Sequence, residues 1–494
     1  MSTIKKFAGQ TAIYGISTVA SRILNFFLTP IYTNVYGKKL YGIFSEMYSY
    51  ASLLNALLSF GMETAFFRYI NKKEGKKDII YSNTFIVVAF ISLLFLISSL
   101  LFLKPIAVLL QDGRSTSLID FTTYIKYFIF ILIIDALSVV PFAKVRSEGK
   151  PGRYSIIKLV NVLTFIGLNL FFIFVIPIII KHQLFLADTL SVWYRPKWIG
   201  YVFLSNLIAS ILTFLLLLPE IFQLKFKLDK KLLLEMLSYS WPIFVANLSF
   251  IINENIDKIF LSHLLPTTIS ESQTGIYAGC AKIAVFLSIF IMAYRLGAEP
   301  FFFSHAKQEN ATKTYAQIMN YFVLAICLIC VGIVANIEIL KYFIAEEFWV
   351  GLNVIPILLF GYVSLGIYMN LSIWYKLSDQ TRFGLYISGL GAIITIVLNI
   401  IFIPKYGFMA SAWVSLLAYT SMMILSYILG QKNYPIPYDL KRNMGYLALS
   451  IIIVILSFVV FKRNLIVGNL LFVTFGLLIL YIERKPLKKI LSSL

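Results

Sequence analysis

Charged side chains recur inside long apolar stretches of this 494-residue sequence. A Lys, Arg or Asp near the centre of a bilayer costs about 2.5 to 3.5 kcal/mol on insertion scales, so each needs a charged partner or a watery cavity. Cations in such a cavity suit an anionic ligand, because guanidinium and ammonium groups bind phosphate oxygens. The candidate cationic residues for ligand binding are Arg22, Arg68, Lys258, Lys282 and Arg295.

Carboxylates in the same stretches are candidates for coupling to an ion or for pairing with these cations. They are Glu63, Asp135, Glu254, Asp257 and Glu299. Coupling to Na+ or H+ requires an intramembrane carboxylate, and we assign that role first to Asp135, Asp257 and Glu299. No other cofactor is expected.

Several of these charges have a simpler alternative role. Glu254 and Lys258 are four residues apart on one helical face and can pair with each other, as can Arg295 and Glu299. Arg68 and Lys258 lie close enough to span ends for their charged heads to reach water. Arg22 has neither alternative, because it lies mid-span with no carboxylate within four residues, and it is therefore the strongest candidate to face a cavity.

Three asparagines add polar surface to the same part of the chain. Asn247, Asn253 and Asn255 lie in one apolar stretch with the Asp257 charge. Their amides suit a hydrated or sugar-binding cavity, and the alternative is that they hydrogen-bond between packed helices.

The elements that position these residues are predicted to be membrane-spanning helices. The sequence is 59% hydrophobic and 13% charged, with a mean hydropathy of +0.84, whereas a soluble domain has roughly 25% charged residues. Apolar runs of about 20 residues recur along the chain, long enough to cross a bilayer as helices. We predict an all-α polytopic membrane protein of about fourteen transmembrane helices, near residues 10–34, 43–67, 80–103, 119–142, 156–180, 198–221, 237–261, 274–303, 314–343, 350–375, 383–404, 407–430, 443–461 and 465–482.

The distribution of basic residues predicts the orientation. The net charge of +20 arises mainly from loops on the side of the N-terminus, which contain most of the lysines and arginines. By the positive-inside rule both termini are cytoplasmic, which requires an even number of spans. The first apolar run is too long for a removable signal peptide and lacks a small-residue cleavage site. A bacterial cytoplasmic membrane is the expected location.

An internal repeat divides the chain into two similar parts. The segment Gly61-Met-Glu-Thr-Ala-Phe-Phe67 matches Gly297-Ala-Glu-Pro-Phe-Phe-Phe303, and Gly42-Ile-Phe44 matches Gly275-Ile-Tyr277 at nearly the same offset. A third match, around Asn169 and Asn399, follows in order. We predict two six-helix lobes, residues 1–228 and 229–431, and two additional helices with a basic tail at residues 432–494. Because six is even, the lobes run parallel, as in transporters.

The sequence argues against catalysis by this chain. It contains no GxxxxGK[ST] phosphate-binding loop, and the segments between spans are too short for a catalytic domain. The longest external segment, near 181–197, offers no paired carboxylates for glycosyl transfer or hydrolysis. Cys327 and Cys330 form a CxxC without a second pair, which favours apolar thiols over a metal site. We predict that the protein is not an enzyme.

The motifs jointly resemble the polysaccharide transporters, or O-antigen-type flippases, of the multidrug/oligosaccharidyl-lipid/polysaccharide exporter superfamily, over essentially the whole length. The matching residues are Arg22, Tyr41-Gly-Ile-Phe-Ser45, Gly61-Met-Glu-Thr-Ala-Phe-Phe-Arg68, Pro242, Asp257-Lys-Ile-Phe-Leu261, Gly275-Ile-Tyr277, Pro300-Phe-Phe-Phe-Ser304, Leu398-Asn-Ile-Ile-Phe-Ile-Pro-Lys-Tyr-Gly407 and Ala410-Ser-Ala-Trp413.

This resemblance implies a V-shaped pair of lobes, a cationic cavity lined mainly by spans 1, 2, 7 and 8, and alternating access without ATP. The implied function is to flip a polyprenyl-pyrophosphate-linked oligosaccharide, such as a repeat unit of O-antigen (for lipopolysaccharide), capsule or exopolysaccharide, from the inner to the outer leaflet. Arg22, Arg68 and Arg295 become candidates to bind its anionic head group. Where related chains commonly have Asp-Arg, this one has Asp257-Lys258, which keeps the charge but lacks the planar fork of arginine. A polysaccharide polymerase and chain-length machinery are implied partners.

Other functions remain open from the sequence. A lipid II flippase would share the two extra helices and the cationic cavity, whereas a multidrug:cation antiporter would have about twelve helices and an acidic cavity. A membrane glycosyltransferase or polymerase would need a long catalytic loop, and a structural scaffold would need none of the intramembrane charges. The sign of the cavity, the helix count and the catalytic loop distinguish these classes.

Reporter fusions test the predicted orientation. Alkaline phosphatase, which is active only outside the cytoplasm, is expected to be active when fused after residue 190, because five spans precede that position. The same enzyme fused after residue 228 should be inactive, because six spans precede it and the flanking loop is basic. A fluorescent-protein fusion at each position controls for expression, and equal phosphatase activity at both would contradict the topology.

Overall fold

The structure is a computed structural model that describes residues 19–21, 23–114, 116–306, 308–378 and 380–491. These residues form helices and connecting turns, and no β-strand occurs among them, which confirms the predicted all-α class. The chain forms two compact units, of which the first ends at Gly275 and the second begins at Ile276. The lobe boundaries predicted after residues 228 and 431 stay predictions.

The first unit contains long helices joined by short turns. They are α1 (Thr29–Ser59), α2 (Met62–Lys72), α3 (Lys77–Leu101), α4 (Leu103–Gln111), α5 (Leu118–Ser147), α6 (Pro151–Leu170), α7 (Ile176–Lys181), α8 (Ala187–Trp193), α9 (Gly200–Leu216), α10 (Leu218–Ile221) and α11 (Lys230–Leu264). A 3₁₀ turn, Glu74–Lys76, precedes α3, and a π-helical turn, Phe171–Val175, joins α6 to α7.

Helix α12 (Thr267–His305) begins in the first unit and continues into the second. The remaining helices of the second unit are α13 (Ala311–Ala335), α14 (Ile337–Leu340), α15 (Val354–Leu371), α16 (Ile373–Leu377), α17 (Arg382–Tyr406), α18 (Phe408–Asn433), α19 (Leu440–Ile455) and α20 (Leu465–Leu491). Two 3₁₀ segments, Lys341–Phe343 and Glu346–Gly351, precede α15, and a π-helical turn, Leu456–Val460, ends α19.

Local sequence signals explain where several helices begin. Ser117 precedes α5 and accepts a hydrogen bond from the Asp120 backbone N–H at 3.1 Å, and Asp229 caps α11 in the same way through Leu232 N–H at 3.1 Å. Such side-chain caps satisfy backbone donors that the first helical turn leaves unpaired. Pro151 occupies the first position of α6, where its missing N–H costs nothing.

Ten helices within the described part of the chain are long and apolar enough to cross a membrane. They are Lys77–Leu101, Leu118–Ser147, Pro151–Lys181, Thr267–Phe303, Ala311–Ala335, Val354–Leu377, Arg382–Tyr406, Phe408–Asn433, Leu440–Val460 and Leu465–Arg484. Helices α1, α9 and α11 overlap predicted spans 2, 6 and 7, and predicted span 1 is described in part, because residues 10–18 and 22 lie outside the described residues. The protein is thus a multi-pass membrane protein, and the count of fourteen stays a prediction.

Two glycines interrupt the helices where hydropathy predicted simple loops and spans. Gly37 has a φ of 69° and interrupts the helical geometry within α1. The residues on both sides of this kink remain helical. Gly61, with a φ of 67°, separates α1 from α2 inside predicted span 2. Such left-handed angles favour glycine because it has no Cβ.

Two repeat-related glycines place helices α1 and α12 in backbone contact. A Cβ on Gly42 would lie 2.0 Å from the Glu271 carbonyl oxygen, and a Cβ on Gly275 would lie 1.8 Å from that of Lys38. Each glycine therefore faces the carbonyl four residues before the other. This reciprocal arrangement, called here the glycine contact, follows the repeat symmetry predicted from the sequence and lets two helices approach more closely than any side chain allows.

Replacing Gly275 with leucine should destabilise the protein. The new Cβ would overlap a backbone oxygen that cannot rotate away, so helices α1 and α12 would have to separate. Gly167→Leu is the matched control, because a Cβ at that helical glycine meets nothing within 4 Å. We expect the melting temperature of the purified protein to fall by several degrees for Gly275→Leu alone, and equal melting temperatures would contradict the contact.

Candidate functional site

A cavity of about 550 Å³ lies within the first unit. Helices α1, α2, α5, α6, α9 and α11 contribute its walls, and its size is typical of small-molecule sites, which span roughly 300 to 1,000 Å³. Its lining extends to Glu63 and to the exposed Thr64 on α2. This end of the unit also carries the turn at 148–150 between α5 and α6.

Uncharged hydrogen-bonding side chains make up much of the cavity wall. They are Ser52, Asn55, Ser59, Thr64, Ser138, Asn161, Asn206, Ser210, Thr213 and Asn247. Hydrogen bonds position some of these side chains. The Asn161 amide donates to Thr213 Oγ1 at 2.9 Å, and the Asn206 amide donates to the Tyr48 hydroxyl at 2.9 Å. The wall can therefore both donate and accept hydrogen bonds, as a hydroxyl-rich ligand requires.

Three charged residues of the described part of the chain line the same cavity. Glu63 accepts a 2.6 Å hydrogen bond from Arg146, whose guanidinium lies 4.8 Å from the Phe67 ring centre. Asp135 on α5 is half-buried, with Ser210 in hydrogen-bonding reach and Lys158 acting on it electrostatically. Among the described residues, Lys158 on α6 is the cation that lines the cavity, and the sequence analysis did not single it out.

The predicted asparagines of α11 occupy different surroundings. Asn247 is exposed and lines the cavity. Asn253 is 2% exposed, which places it in the packed interior, and the Asn255 amide donates to the Ile251 carbonyl at 3.3 Å. The structure thus brings one of the three asparagines into the cavity.

The predicted charges in the C-terminal parts of α11 and α2 do not line this cavity. Lys258 donates to Asp257 Oδ1 and to the Glu254 carbonyl, both at 3.0 Å, while the Glu254 side chain is exposed. The guanidinium of the exposed Arg68 lies 4.1 Å from the Tyr239 ring centre. The salt bridge of Lys258 is thus with Asp257, whereas the pair weighed from the sequence was with the Glu254 side chain.

The second unit holds the remaining predicted charges. Glu299 accepts hydrogen bonds from Arg295 at 2.9 Å and from Lys376 at 2.6 Å. Both cations line a narrow pocket with Asn370. The Glu299 carboxylate therefore pairs with two positive charges. Lys282 is half-buried on α12. Arg22 lies outside the described residues, and the ligand-binding and coupling roles assigned to these charges stay predictions.

A buried ion cluster lies at the end of the first unit opposite to Glu63. Arg114, between α4 and α5, donates to Glu46 of α1 at 2.5 Å and to the Ser262 carbonyl of α11 at 3.1 Å. His263 Nε2 lies 3.0 Å from Glu46 and 2.8 Å from the Tyr50 hydroxyl. The Arg114 and Glu46 side chains are 0% and 2% exposed. We name Glu46, Arg114 and His263 the buried ion cluster.

This cluster and the glycine contact hold the same elements together. Both join α1 to the segment that runs from the end of α11 into α12, and the Ser262 hydroxyl also lies 3.1 Å from that of Thr274. The first unit is therefore tightly packed at this end, whereas the cavity occupies the half nearer Glu63 and Thr64. The sequence analysis did not single out Glu46 or Arg114. An arginine between predicted spans is common, and the sequence around it does not indicate that it pairs with a buried carboxylate.

Comparison with protein families identifies a match over most of the chain. The family model described as "Polysaccharide biosynthesis protein" matches residues 7–298, and the model described as MatE matches residues 242–401. Among curated proteins, "Lsg locus putative protein 1" of Haemophilus influenzae is 23% identical over 312 residues, which cover 61% of this chain and 67% of that protein.

Solved structures share the fold. A structure titled "Lipid II flippase MurJ, inward closed conformation" is similar with a TM-score of 0.73 at 16% identity, covering 96% of this chain and 100% of its own. An inward-facing multidrug resistance MATE family transporter of the MOP superfamily is similar with a TM-score of 0.59 at 14% identity, covering 89% and 96%. At these identities the likeness establishes a transporter fold and nothing finer.

Removing one member of the buried ion cluster should be strongly destabilising. Arg114→Ala leaves the Glu46 carboxylate buried without its cation, a change that typically costs about 3 to 5 kcal/mol. Lys225→Ala is the control, because its partner Asp78 and Lys225 itself are more than half exposed and such pairs contribute little. Thermal unfolding should show a large loss for Arg114→Ala alone, and a loss equal to the control would refute a structural role.

Proposed function

Because the chain belongs to the polysaccharide biosynthesis protein family of membrane transporters, we propose that it flips a lipid-linked saccharide across a bacterial cytoplasmic membrane. The cargo is a polyprenyl-pyrophosphate-linked oligosaccharide, such as a repeat unit of O-antigen, capsule or exopolysaccharide, and it moves from the inner to the outer leaflet. The protein transports this cargo rather than modifying it chemically, and ATP is not consumed by the chain itself.

The polar cavity of the first unit is the observation that carries the proposal. Its amides and hydroxyls can form hydrogen bonds with sugar hydroxyls. They lie among membrane-spanning helices, where such polar groups need a hydrated cavity or a polar ligand. An extrusion site for apolar drugs would instead be lined mainly by hydrophobic and aromatic side chains. The family description, which names polysaccharide biosynthesis, agrees with a saccharide cargo.

Basic residues favour a cytoplasmic position for the cavity end of the first unit. Lys73, Lys76, Lys144 and Lys150 all lie in the turns and helix ends at that side, as expected of cytoplasmic loops. The end with the glycine contact and the buried ion cluster then faces outward. With this orientation, we infer that the first unit is closed toward the outside and that its cavity is accessible from the cytoplasm.

The proposed cycle follows from this arrangement. The saccharide enters the cavity from the cytoplasm while the polyprenyl tail stays in the bilayer, and separation of the closed end exposes the sugar to the outside. Resetting uses the membrane potential or a coupled Na+ or H+, because moving one charge through 100 mV is worth about 2.3 kcal/mol. Asp135, the lining carboxylate without a guanidinium partner, is the proposed coupling residue.

A lipid II flippase is the second candidate function. The match to the structure titled as that flippase extends over the whole of that chain, and α19 and α20 overlap the two predicted spans that follow the six-helix lobes. Lipid II is also a lipid-linked saccharide, so the cavity chemistry does not separate the two cargoes. Genetic complementation with each cargo does.

Complementation with cavity variants tests the proposal. The chain should restore surface polysaccharide to a host that lacks its own O-antigen flippase. Asn55→Leu and Asn247→Leu should each reduce that restoration severalfold at equal membrane levels, because they replace lining amides with apolar groups. Asn71→Leu is the control, since Asn71 is exposed on α2 and does not line the cavity.

The other outcomes point to other functions. Rescue of a host depleted of its lipid II flippase, without restored surface polysaccharide, would replace the proposed cargo with lipid II. Increased tolerance of cationic drugs without either rescue would indicate an antiporter. Normal restoration by both lining variants would place saccharide recognition outside this cavity.

A further inference from the structure

Lys158 lies within a membrane-spanning helix, and in the described part of the chain no carboxylate forms a salt bridge with it. It lies on α6, is half-buried and lines the polar cavity. Its Nζ is 4.6 Å from the Phe142 ring centre and 6.0 Å from that of Tyr154. The two rings position the ammonium by cation–π attraction while leaving its hydrogen-bond donors available.

Several other cations of the first unit are paired with carboxylates. Arg153, one and a half turns before Lys158 on the same helix, donates to both oxygens of Glu220 at 2.7 and 2.8 Å. Arg114 and Lys258 are likewise ion-paired. Lys158 therefore differs from these cations in having no carboxylate of the described residues within ion-pair distance, since Asp135 acts on it only across the cavity, and an intramembrane ionisable residue of this kind indicates a functional site.

Helix α6 presents one face to the cavity and another outward. Lys158 and Asn161 line the cavity, whereas the apolar side chains of Ile156, Leu159 and Leu163 are 63%, 48% and 54% exposed. Exposed apolar side chains on a membrane-spanning helix face lipid. An anionic group bound at Lys158 can thus be attached to a sugar inside the cavity and to a lipid tail beside the same helix.

We propose that Lys158 binds the pyrophosphate of the lipid-linked saccharide. This inference rests on the proposed function and names the residue that receives the anionic linkage. The ammonium forms charge-assisted hydrogen bonds to phosphate oxygens, the neighbouring asparagines and serines contact the sugar, and the polyprenyl chain passes along the lipid face of α6. Asp135 shares the cavity and acts on Lys158 electrostatically, so it limits how many negative charges the site accepts.

A phospholipid head group offers the same phosphate chemistry from another source. Lys158 lies seven residues after Pro151, about 10 Å along the helix at 1.5 Å per residue, which is within reach of the head-group region for a lysine side chain. The two sources make different predictions about selectivity. A site built into the cavity should prefer the pyrophosphate of a polyprenyl lipid over an ordinary anionic phospholipid.

Binding to the purified full-length protein in nanodiscs tests the inference. The three ligands are a polyprenyl pyrophosphate without sugar, the matching polyprenol and phosphatidylglycerol. Lys158→Ala should weaken binding of the polyprenyl pyrophosphate about tenfold or more, as expected for loss of one charge-assisted hydrogen bond, and leave polyprenol binding unchanged. Lys158→Arg should bind nearly as wild type because it keeps the charge.

Lys126→Ala is the matched control. Lys126 lies eight residues into α5, is exposed and does not line the cavity, so its loss should not change any of the three affinities. Equal weakening of polyprenyl pyrophosphate and phosphatidylglycerol by Lys158→Ala would overturn the inference in favour of a head-group contact. Unchanged affinities for Lys158→Ala would overturn it outright.

Failure of the proposed function has a different signature. If the wild-type protein itself binds polyprenol as tightly as the polyprenyl pyrophosphate and does not restore surface polysaccharide, the flippase proposal fails. If the wild type discriminates between the two lipids and Lys158→Ala retains that discrimination, the flippase proposal stands and the role of Lys158 alone is refuted.

Discussion

The glycine contact is the constraint on which the first unit depends. With Gly42 facing the Glu271 carbonyl and Gly275 facing that of Lys38, helices α1 and α12 meet backbone to backbone, and no other residue type fits at either glycine. This proximity brings the middle of α1 close to the end of α11, and the buried ion cluster occupies the space beside them. Burying ions is expensive unless geometry and hydrogen bonds are good, so the cluster can persist only because the close helix packing excludes water and fixes its members. One end of the unit is closed as a result, and the cavity lies in the other half.

The helical class was predictable from the sequence, but the contact between the two matching glycine motifs was not. Gly42 and Gly275 head equivalent segments, which the offset of the motifs revealed; that these two glycines touch each other depends on the packing of their helices. Helix boundaries differed for a related reason. The breaks at Gly37 and Gly61 depend on positive φ angles, and a hydropathy window averages over such positions without detecting the backbone angle.

The candidate site was predicted in part. Searching for charges within spans found Glu63 and Asp135, which line the cavity, but it passed over Lys158 because that residue lies two positions inside a predicted span and resembles an ordinary flanking lysine. Arg114 was missed because it lies between spans, where arginine is usual. In both cases the deciding property is the salt-bridge partner, which is a carboxylate for Arg114 and is absent for Lys158 among the described residues. Glu46 lies far from Arg114 in the sequence, so local sequence does not reveal the pair.

Some helices contribute residues to both the cavity and the buried ion cluster, and this affects how a cargo can trigger the proposed transport cycle. Helix α1 carries Glu46 of the ion cluster and, about 14 Å further along at 1.5 Å per residue, Asn55 of the cavity. Helix α11 similarly carries both His263 and Asn247. A rigid displacement of either helix therefore alters both ends of the first unit. A cargo that binds the cavity more tightly when the closed end has separated shifts the equilibrium toward that separated state.

Helix α6 differs, because it contributes Lys158 to the cavity but nothing to the cluster or the glycine contact. Affinity for the anionic linkage can thus be set on α6 independently of closure, whereas sugar contacts on α1 and α11 are the ones able to couple occupancy to movement.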